Sequence, residues 1–262
     1  MNNVSIVIPT FNRAKMVSRA ITSSLAQTTH CEVIVCDHGS TDETAEVVQK
    51  FENDIIYIKR ERDFGPHFCW LEGILNANYE WIHLQFDDDW LEPTYVEECS
   101  KFFADDVGFV FSSANVIFPD HPEKNEVLFQ DRFGESGIYQ TKKFHKHLSK
   151  NLISPGAVIF RKQDMIDALY QGALPLSKHR YHGVGPDFFF TLSCMLKYPK
   201  FGFVKEALTN FLAHEQSITI SSHESKEKRH ALDRAYLEVR QYYQALKLIQ
   251  KWKKIKTVLT YQ

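Results

Sequence analysis

The sequence predicts an α/β fold: an open, largely parallel sheet flanked by helices, followed by a charged helical tail. Three observations predict it. Short β-branched runs alternate with segments of helical period through the first half of the chain. Each polar cluster in that half follows the carboxyl end of an apolar run, where open α/β sheets bind their ligands. From about Ser217 the composition shifts to charged sequence with helical spacing.

The elements follow in order. Val4 to Ile8 is the first strand, stopped by Pro9, and the polar stretch Thr10-Phe11-Asn12-Arg13 leads into a helix carrying Val17, Ala20, Ile21 and Leu25. Glu32 to Cys36 is the second strand. It ends at Asp37 in the turn His38-Gly39-Ser40, and Thr41-Asp42-Glu43-Thr44 opens the next helix with capping residues. Ile55 to Ile58 is a third strand, Phe68 to Asn78 a helix, and Trp81 to Phe86 a fourth strand running into three consecutive aspartates. Later elements are sparser: strands at Val107–Phe111 and Ala157–Phe160, helices at Lys162–Tyr170 and Phe188–Leu196, and an irregular excursion from Phe118 to Ser136.

With 262 residues, 44% of them apolar, the chain is long enough to bury a core. A formal charge of −2 gives no basic face for nucleic acid, so the expected partner is small. Cys31, Cys36, Cys69, Cys99 and Cys194 form an odd set without a C-x-x-C pair, which suits reduced thiols in core or strand positions. The chain opens directly into its first strand without a leader pattern, and no apolar run reaches the ~18 residues of a membrane span. A cytoplasmic protein is expected.

Three motifs carry chemistry. Asp87-Asp88-Asp89, between an apolar strand and Trp90-Leu91-Glu92-Pro93, places like charges side by side, an arrangement that a divalent cation compensates. Hard oxygen ligands suit Mg²⁺ or Mn²⁺, although a solvated acidic loop would read the same way. Asp37 at a strand end can accept hydrogen bonds from a nucleotide's base or ribose, or simply close a turn; a carboxylate facing a cleft should carry little packing. Pro9-Thr10-Phe11-Asn12-Arg13 adds an arginine suited to phosphate or to stacking on a base.

Taken in this order, Pro9 to Arg13, Asp37 to Asp42 and Asp87 to Asp89 resemble glycosyltransferase family 2. That family has a strand ending in Pro-Thr-Tyr/Phe-Asn-Arg, a second ending in Asp-x-Gly-Ser-x-Asp, and then a D-x-D-type metal motif. Gly65 and Gly73 fit the segment between the second and third motifs, whereas the bulky His67 and Trp70 depart from it. Counted back from Pro93, Asp88 is the last aspartate of the D-x-D; the local triplet instead gives Asp87 and Asp89.

The resemblance implies a GT-A fold, a Rossmann-like nucleotide-binding sheet with flanking helices. Residues 1–216 would be the catalytic domain, with 1–95 its nucleotide-sugar half and 96–216 its acceptor half, and 217–262 a C-terminal helical extension. It implies an inverting transfer from a nucleoside-diphosphate sugar, uridine being the commonest base, to a glycan or lipid-linked acceptor hydroxyl in polysaccharide or glycoconjugate synthesis. Pro9, Thr10, Asn12, Arg13, Asp37, Gly65, Asp87 and Asp88 would hold the nucleotide. Asp87, Asp88, Asp89 and His214 would hold Mn²⁺ or Mg²⁺. Asp187, at the start of an apolar helix, would be the general base, with Glu215 and Asp164 behind it, and 179–185 with the Phe118 to Ser136 excursion would line the acceptor cleft. A homo-oligomer is compatible with this reading. The rivals are a nucleotidyltransferase, which would carry a glycine-rich loop after its first strand, and a sugar-nucleotide or glycan-binding module without turnover. In the tail, Leu246, Ile249, Trp252, Ile255 and Leu259 recur beside Lys247, Lys251, Lys253, Lys254 and Lys256. Such a helix either packs on the domain or lies on the anionic inner face of a membrane.

Overall fold

Strand β1 (Val4–Thr10) alternates its side chains between two faces, and each face acquires its own core. Val4, Ile6 and Ile8 point to one side with Val33 and Val35; Val7 points to the other with Ile34 and Cys36. Helices must therefore cover both faces, as in a doubly wound sheet. The computed structural model describes residues 3–169, 174–175, 177–178, 184–214 and 225–260, with side chains as far as 253.

On the first face lie α1 (Val17–Leu25), α2 (Thr44–Gln49) and α4 (Tyr95–Ser100), which bury Val17, Ala20, Ile21, Val48, Tyr95, Val96 and Cys99. On the second lie α3 (Pro66–Asn76), α5 (Thr141–Leu148), α6 (Lys162–Ala168), α7 (Pro186–Lys197) and α8 (Lys226–Thr260). Gly73 fixes how closely α3 approaches: a Cβ there would come within 2.3 Å of Val7 Cγ1 and 2.8 Å of Cys36 Sγ.

The remaining strands are β2 (Cys31–Asp37), β3 (Ile56–Lys59), β4 (Trp81–Leu84), β5 (Trp90–Leu91), β6 (Val107–Ile117), β7 (Glu126–Leu128), β8 (Gly137–Gln140), β9 (Val158–Arg161) and β10 (Lys200–Leu212). Among the described residues they form a ten-stranded sheet of order β3-β2-β1-β4-β9-β6-β10-β5, with β7 on β6 and β8 on β10. The chain winds outward from β1 through β2 to β3, then returns over α3 to set β4 parallel on the other side of β1. The strand order thus reverses between β1 and β4, and the loops that follow these two strands flank the crevice where such sheets bind ligands. β9 is antiparallel to β4 and β6, and β10 runs parallel to β6 with register shifts.

Differences from the sequence reading lie mainly beyond β4. β6 runs on to Ile117. The excursion after it contains a 3₁₀ turn at Pro122–Lys124 and the short β7. β10, thirteen residues long, was not anticipated. The tail is not a loose appendage over its whole length: Ala235, Val239 and Tyr243 of α8 are buried, the last two in the α7-side core. Of the expected tail stripe, Leu246 packs on that core, Ile249 and Trp252 are exposed, and the side chains of Ile255 and Leu259 lie outside the described residues. All five cysteines are unpaired, with four buried and Cys31 half-buried. No helix among the described residues is long and apolar enough to cross a membrane.

Candidate active site at the β1/β4 switch point

The loop after β1 is laced to the loop after β2. Asn12 adopts a left-handed conformation (φ 54°), which asparagine tolerates better than most residues. Its Oδ1 accepts from the Thr41 N–H (2.8 Å), and its own N–H donates to Ser40 Oγ (2.9 Å). The Arg13 N–H donates to Thr44 Oγ1 (2.9 Å), and Asp42, rather than the residue next to the helix, accepts from the Thr44 N–H (3.0 Å). Pro9 and Thr10 end β1 in register with Cys36 and Asp37, so the two sequence motifs lie side by side.

Asp37 differs from expectation in one respect. It is 1% exposed, and its carboxylate orders the turn: Oδ1 accepts from the N–H groups of Gly39 (3.1 Å) and Ser40 (2.8 Å), and Oδ2 accepts from the Tyr57 hydroxyl (3.0 Å). Far from carrying little packing, it joins β2, the turn and β3. Gly39 has φ 103°, and a Cβ there would meet the Arg62 backbone at 2.7 Å. That close approach brings in Asp63, whose Oδ1 lies 2.7 Å from His38 Nδ1, while the His38 ring stacks on Phe11 with centroids 4.8 Å apart. Gly65, also left-handed (φ 94°), donates its N–H to Asp63 and caps α3.

The three aspartates after β4 face three different partners. Asp87 turns towards Arg13, whose Nε lies 3.9 Å from its Oδ1. Burial and then the neighbouring Asp88 push the Asp87 carboxyl up to about 7, against the opposing pull of the Thr10 hydroxyl, Arg13 and the Phe11 N–H. Thr10 is fully buried, and its Oγ1, although near Asp87, completes no hydrogen bond of ordinary geometry. Asp88 sets its Oδ2 3.0 Å from His214 Nε2, and its carbonyl accepts from Arg19, whose guanidinium covers Trp90 at 3.9 Å. Asp89 turns away, accepting the Leu212 N–H (2.9 Å); burial and Asp88 raise its pKa. Its bond to Leu212, with the pairing of Trp90 and Asn210, holds the end of β10 and thus His214 against the triplet.

The upward shifts of Asp87 and Asp89 show how poorly this buried corner tolerates adjacent carboxylate charges, a burden that a divalent cation would relieve. Among the described residues no three His, Cys, Asp or Glu side chains converge on one ion. Asp88 Oδ2 and His214 Nε2, however, stand 3.0 Å apart, the separation of neighbouring ligands about 2.1 Å from one octahedral ion. A carboxylate and an imidazole, with diphosphate and water completing the shell, would suit a transition-metal ion such as Mn²⁺ better than the carboxylate ligation usual for Mg²⁺.

Asp187 sits at the start of α7. Its Oδ1 accepts from the N–H groups of Gly185 and Phe188, both at 2.7 Å, and its Oδ2 accepts from the Tyr236 hydroxyl of α8 (3.3 Å). Burial pushes this carboxyl up to about 6 in spite of those donors. Trp70 connects it to the triplet: its ring lies 5.9 Å from Phe86, next to Asp87, and 6.4 Å from Phe190, one turn after Asp187. The bulky Trp70 thus lies between Phe86 and Phe190, with His67 edge-on against it at 5.2 Å. Asp164 pairs with Lys197 (2.8 Å) between α6 and α7, while Glu215 and 179–183 lie outside the described residues.

Residues 5–168, more than half of the chain, match the model of glycosyl transferase family 2. The chain belongs to this family. Curated relatives of this family 2 glycosyltransferase include a chondroitin synthase and a hyaluronan synthase of Pasteurella multocida, each 34% identical over 122 residues, 45% of this chain and 13% of theirs. A chondroitin synthase of Escherichia coli is 35% identical over 116 residues, 40% of this chain and 16% of that one. The chain thus matches only a small part of these longer proteins. Among solved structures, TarS 1-349 of S. aureus in complex with UDP-GlcNAc superposes with a TM-score of 0.67 at 18% identity, covering 90% of this chain and 66% of that one. The same protein without a named ligand gives 0.65. The GT-A fold of this family 2 chain is shared with that enzyme.

Motif reasoning missed Tyr57, Arg19 and Tyr236. Each reaches the site from a neighbouring element, and only the four-residue spacing of Ala235, Val239 and Tyr243 hinted that α8 packs inward.

Proposed function

We propose that this protein transfers a sugar from a nucleoside-diphosphate sugar, a UDP-sugar first of all, to an acceptor hydroxyl with inversion at the anomeric carbon. The observation that carries the reading is the meeting of Thr10, Arg13, Asp37, Asp87 and the Asp88–His214 pair at the β1/β4 crevice. The names of the relatives support a polysaccharide role, and the complex of the structural neighbour supports a UDP-linked donor.

Pro9, Thr10, Asn12 and Gly65 shape the nucleotide cleft, Asp37 and Asp87 offer acceptors to base and ribose, and Arg13 faces the phosphates. Asp88 and His214 would hold Mn²⁺ or Mg²⁺; a bound ion there would neutralise charge on the departing diphosphate. Asp87 and Asp89 would lie beside such an ion, Asp89 being held by the Leu212 N–H. Asp187 Oδ2 removes the acceptor's proton while the acceptor oxygen bonds to the anomeric carbon, and the sugar–diphosphate bond breaks on the opposite face with its electron pair. Positioned proton removal of this kind contributes on the order of 10²–10⁴-fold. The acceptor is a glycan or a lipid-linked sugar, and the exposed Leu248, Ile249 and Trp252 beside Lys247, Lys251 and Lys253 would bring α8 to the anionic inner face of a membrane.

A panel of nucleotide sugars, assayed for Mn²⁺-dependent release of nucleoside diphosphate with and without polysaccharide acceptors, tests the proposal. Release from at least one UDP-sugar, abolished by EDTA, is expected. No release from any donor, with tight metal-independent glycan binding, would indicate a binding module instead.

A further inference from the structure

Asp187 is held from two directions. Its own helix supplies two N–H donors, and both go to Oδ1. Oδ2 is thereby left as the oxygen able to take a proton, and its hydrogen-bond partner is the hydroxyl of Tyr236, forty-nine residues further along the chain. Three contacts seat that tyrosine. Its ring meets Phe188 edge-on with centroids 6.0 Å apart, the Phe189 and Tyr242 rings lie 5.2 Å apart, and the buried Val239 fills the turn between them. The charged and titratable side chains facing the pair among the described residues are Tyr236 itself and Arg240, which lies 5.5 Å from the Phe188 ring; burial and then Asp187 push the Tyr236 hydroxyl's pKa up, and Arg240 opposes the rise.

We propose that Tyr236 is a positioning residue for the proton-accepting oxygen of Asp187, which makes the first half of α8 part of the catalytic unit. The inference rests on the reading of Asp187 as the base. Packing alone does not account for the hydroxyl, because a phenylalanine would meet Phe188 equally well. The hydroxyl donates to the ionised carboxylate, and such a donor stabilises the charged form. It also fixes the rotation of the carboxyl group, presenting the second lone pair of Oδ2 to the acceptor. The geometry divides α8 into two parts: residues about Tyr236 to Tyr243 serve the site, whereas Leu248, Ile249 and Trp252 are exposed.

The test follows the titration of Asp187 directly, by the carboxyl ¹³C resonance of protein labelled at aspartate, assigned by its absence in Asp187→Asn. In Tyr236→Phe the midpoint should rise by about one to two pH units, the loss of one donor to a charged group. Tyr243→Phe, which removes the hydroxyl bonded to His145 (2.7 Å) on the same helix, should leave it unmoved. Protein carrying 3,5-difluorotyrosine, a stronger donor of unchanged shape, should move it down, so the inference stands or falls even if Tyr236→Phe folds poorly. With UDP-GlcNAc and Mn²⁺ as probes, the acidic limb of the rate profile should shift with the titration. The kcat above that limb should also fall severalfold, because Oδ2 is no longer held towards the acceptor, while the donor KM stays within about twofold. An unmoved midpoint in both the phenylalanine and fluorotyrosine proteins overturns the inference, as does a weakened donor KM with kcat unchanged. If Asp187→Asn keeps its turnover, the base reading fails separately, while the titration still decides the contact.

Discussion

Asp187→Asn keeps the shape of the side chain and removes its charge, so it separates the cost of burying the carboxylate from the chemistry that carboxylate performs. The acid titrates near 6 in place of 3.8, and at about 1.36 kcal/mol per pH unit that displacement is worth roughly 3 kcal/mol. Some of the residue's surface remains open to solvent, which trims the figure to about 2 kcal/mol. The sign follows from the direction of the shift. Because the folded-state pKa lies above the unfolded one, the stabilising contribution is fully present below the unfolded value and is lost as pH rises through about 6. Asparagine does not titrate, so the variant should gain about 2 kcal/mol on the wild type between roughly pH 4 and 7 and hold that advantage above. Urea denaturation of both proteins across this range measures it, and subtraction removes the other carboxylates. A difference that stays flat or falls with pH would refute the burial argument. In the same protein sugar transfer should drop by about 10²–10⁴-fold with donor affinity retained.

Other consequences follow from the same geometry. UDP should raise the unfolding temperature more with Mn²⁺ than with EDTA, and Asp88→Ala or His214→Ala should erase the difference; equal shifts in both buffers would contradict the metal role. Asp37→Ala should lose about 1–3 kcal/mol in urea melts, because the Gly39 and Ser40 N–H groups and the Tyr57 hydroxyl lose their acceptor. Asp37→Asn keeps an oxygen for the turn, and calorimetry with UDP should show weaker binding with most of the stability intact; unchanged affinity would leave Asp37 as a turn residue. A chain ending at Gln244 should keep turnover, since it retains Tyr236, Val239 and Tyr243, yet lose salt-sensitive co-sedimentation with anionic vesicles, to which each lysine contributes about 1 kcal/mol. Binding that survives the truncation would exclude α8 as the anchor.

The half of the fold that winds around β1 was legible because its strands are unbroken apolar runs ending in turn residues. Val4 to Ile8, Val33 to Cys36 and Trp81 to Leu84 could hardly be read otherwise. β10 escaped because Lys200, Lys205, Glu206 and Asn210 interrupt its pattern, and its register shifts against β6 break the two-residue period. β6 was truncated at Phe111 because Ser112, Ser113 and Asn115 look like a loop until β7 and β10 supply partners on both sides. In the site, the sequence, read with its family resemblance, named Asp37, Asp88, His214 and Asp187 as candidates. It could not assign separate partners to three adjacent aspartates, because Arg13, His214 and the Leu212 N–H come from three distant segments. Nor could it show that α8 meets Asp187.

The central claim is that the donor's diphosphate binds a cation at Asp88 and His214 while Asp187 Oδ2 addresses the sugar from the opposite side. A crystal structure of the protein soaked with UDP-GlcNAc and Mn²⁺, using the metal's anomalous signal, measures this directly. The account predicts an ion bound by Asp88, His214 and two phosphate oxygens, uridine against Asp37, Arg13 at the phosphates, and the anomeric carbon between the ion and Asp187. A nucleotide seated elsewhere, or a diphosphate at this corner with no ion between it and Asp88, would contradict it.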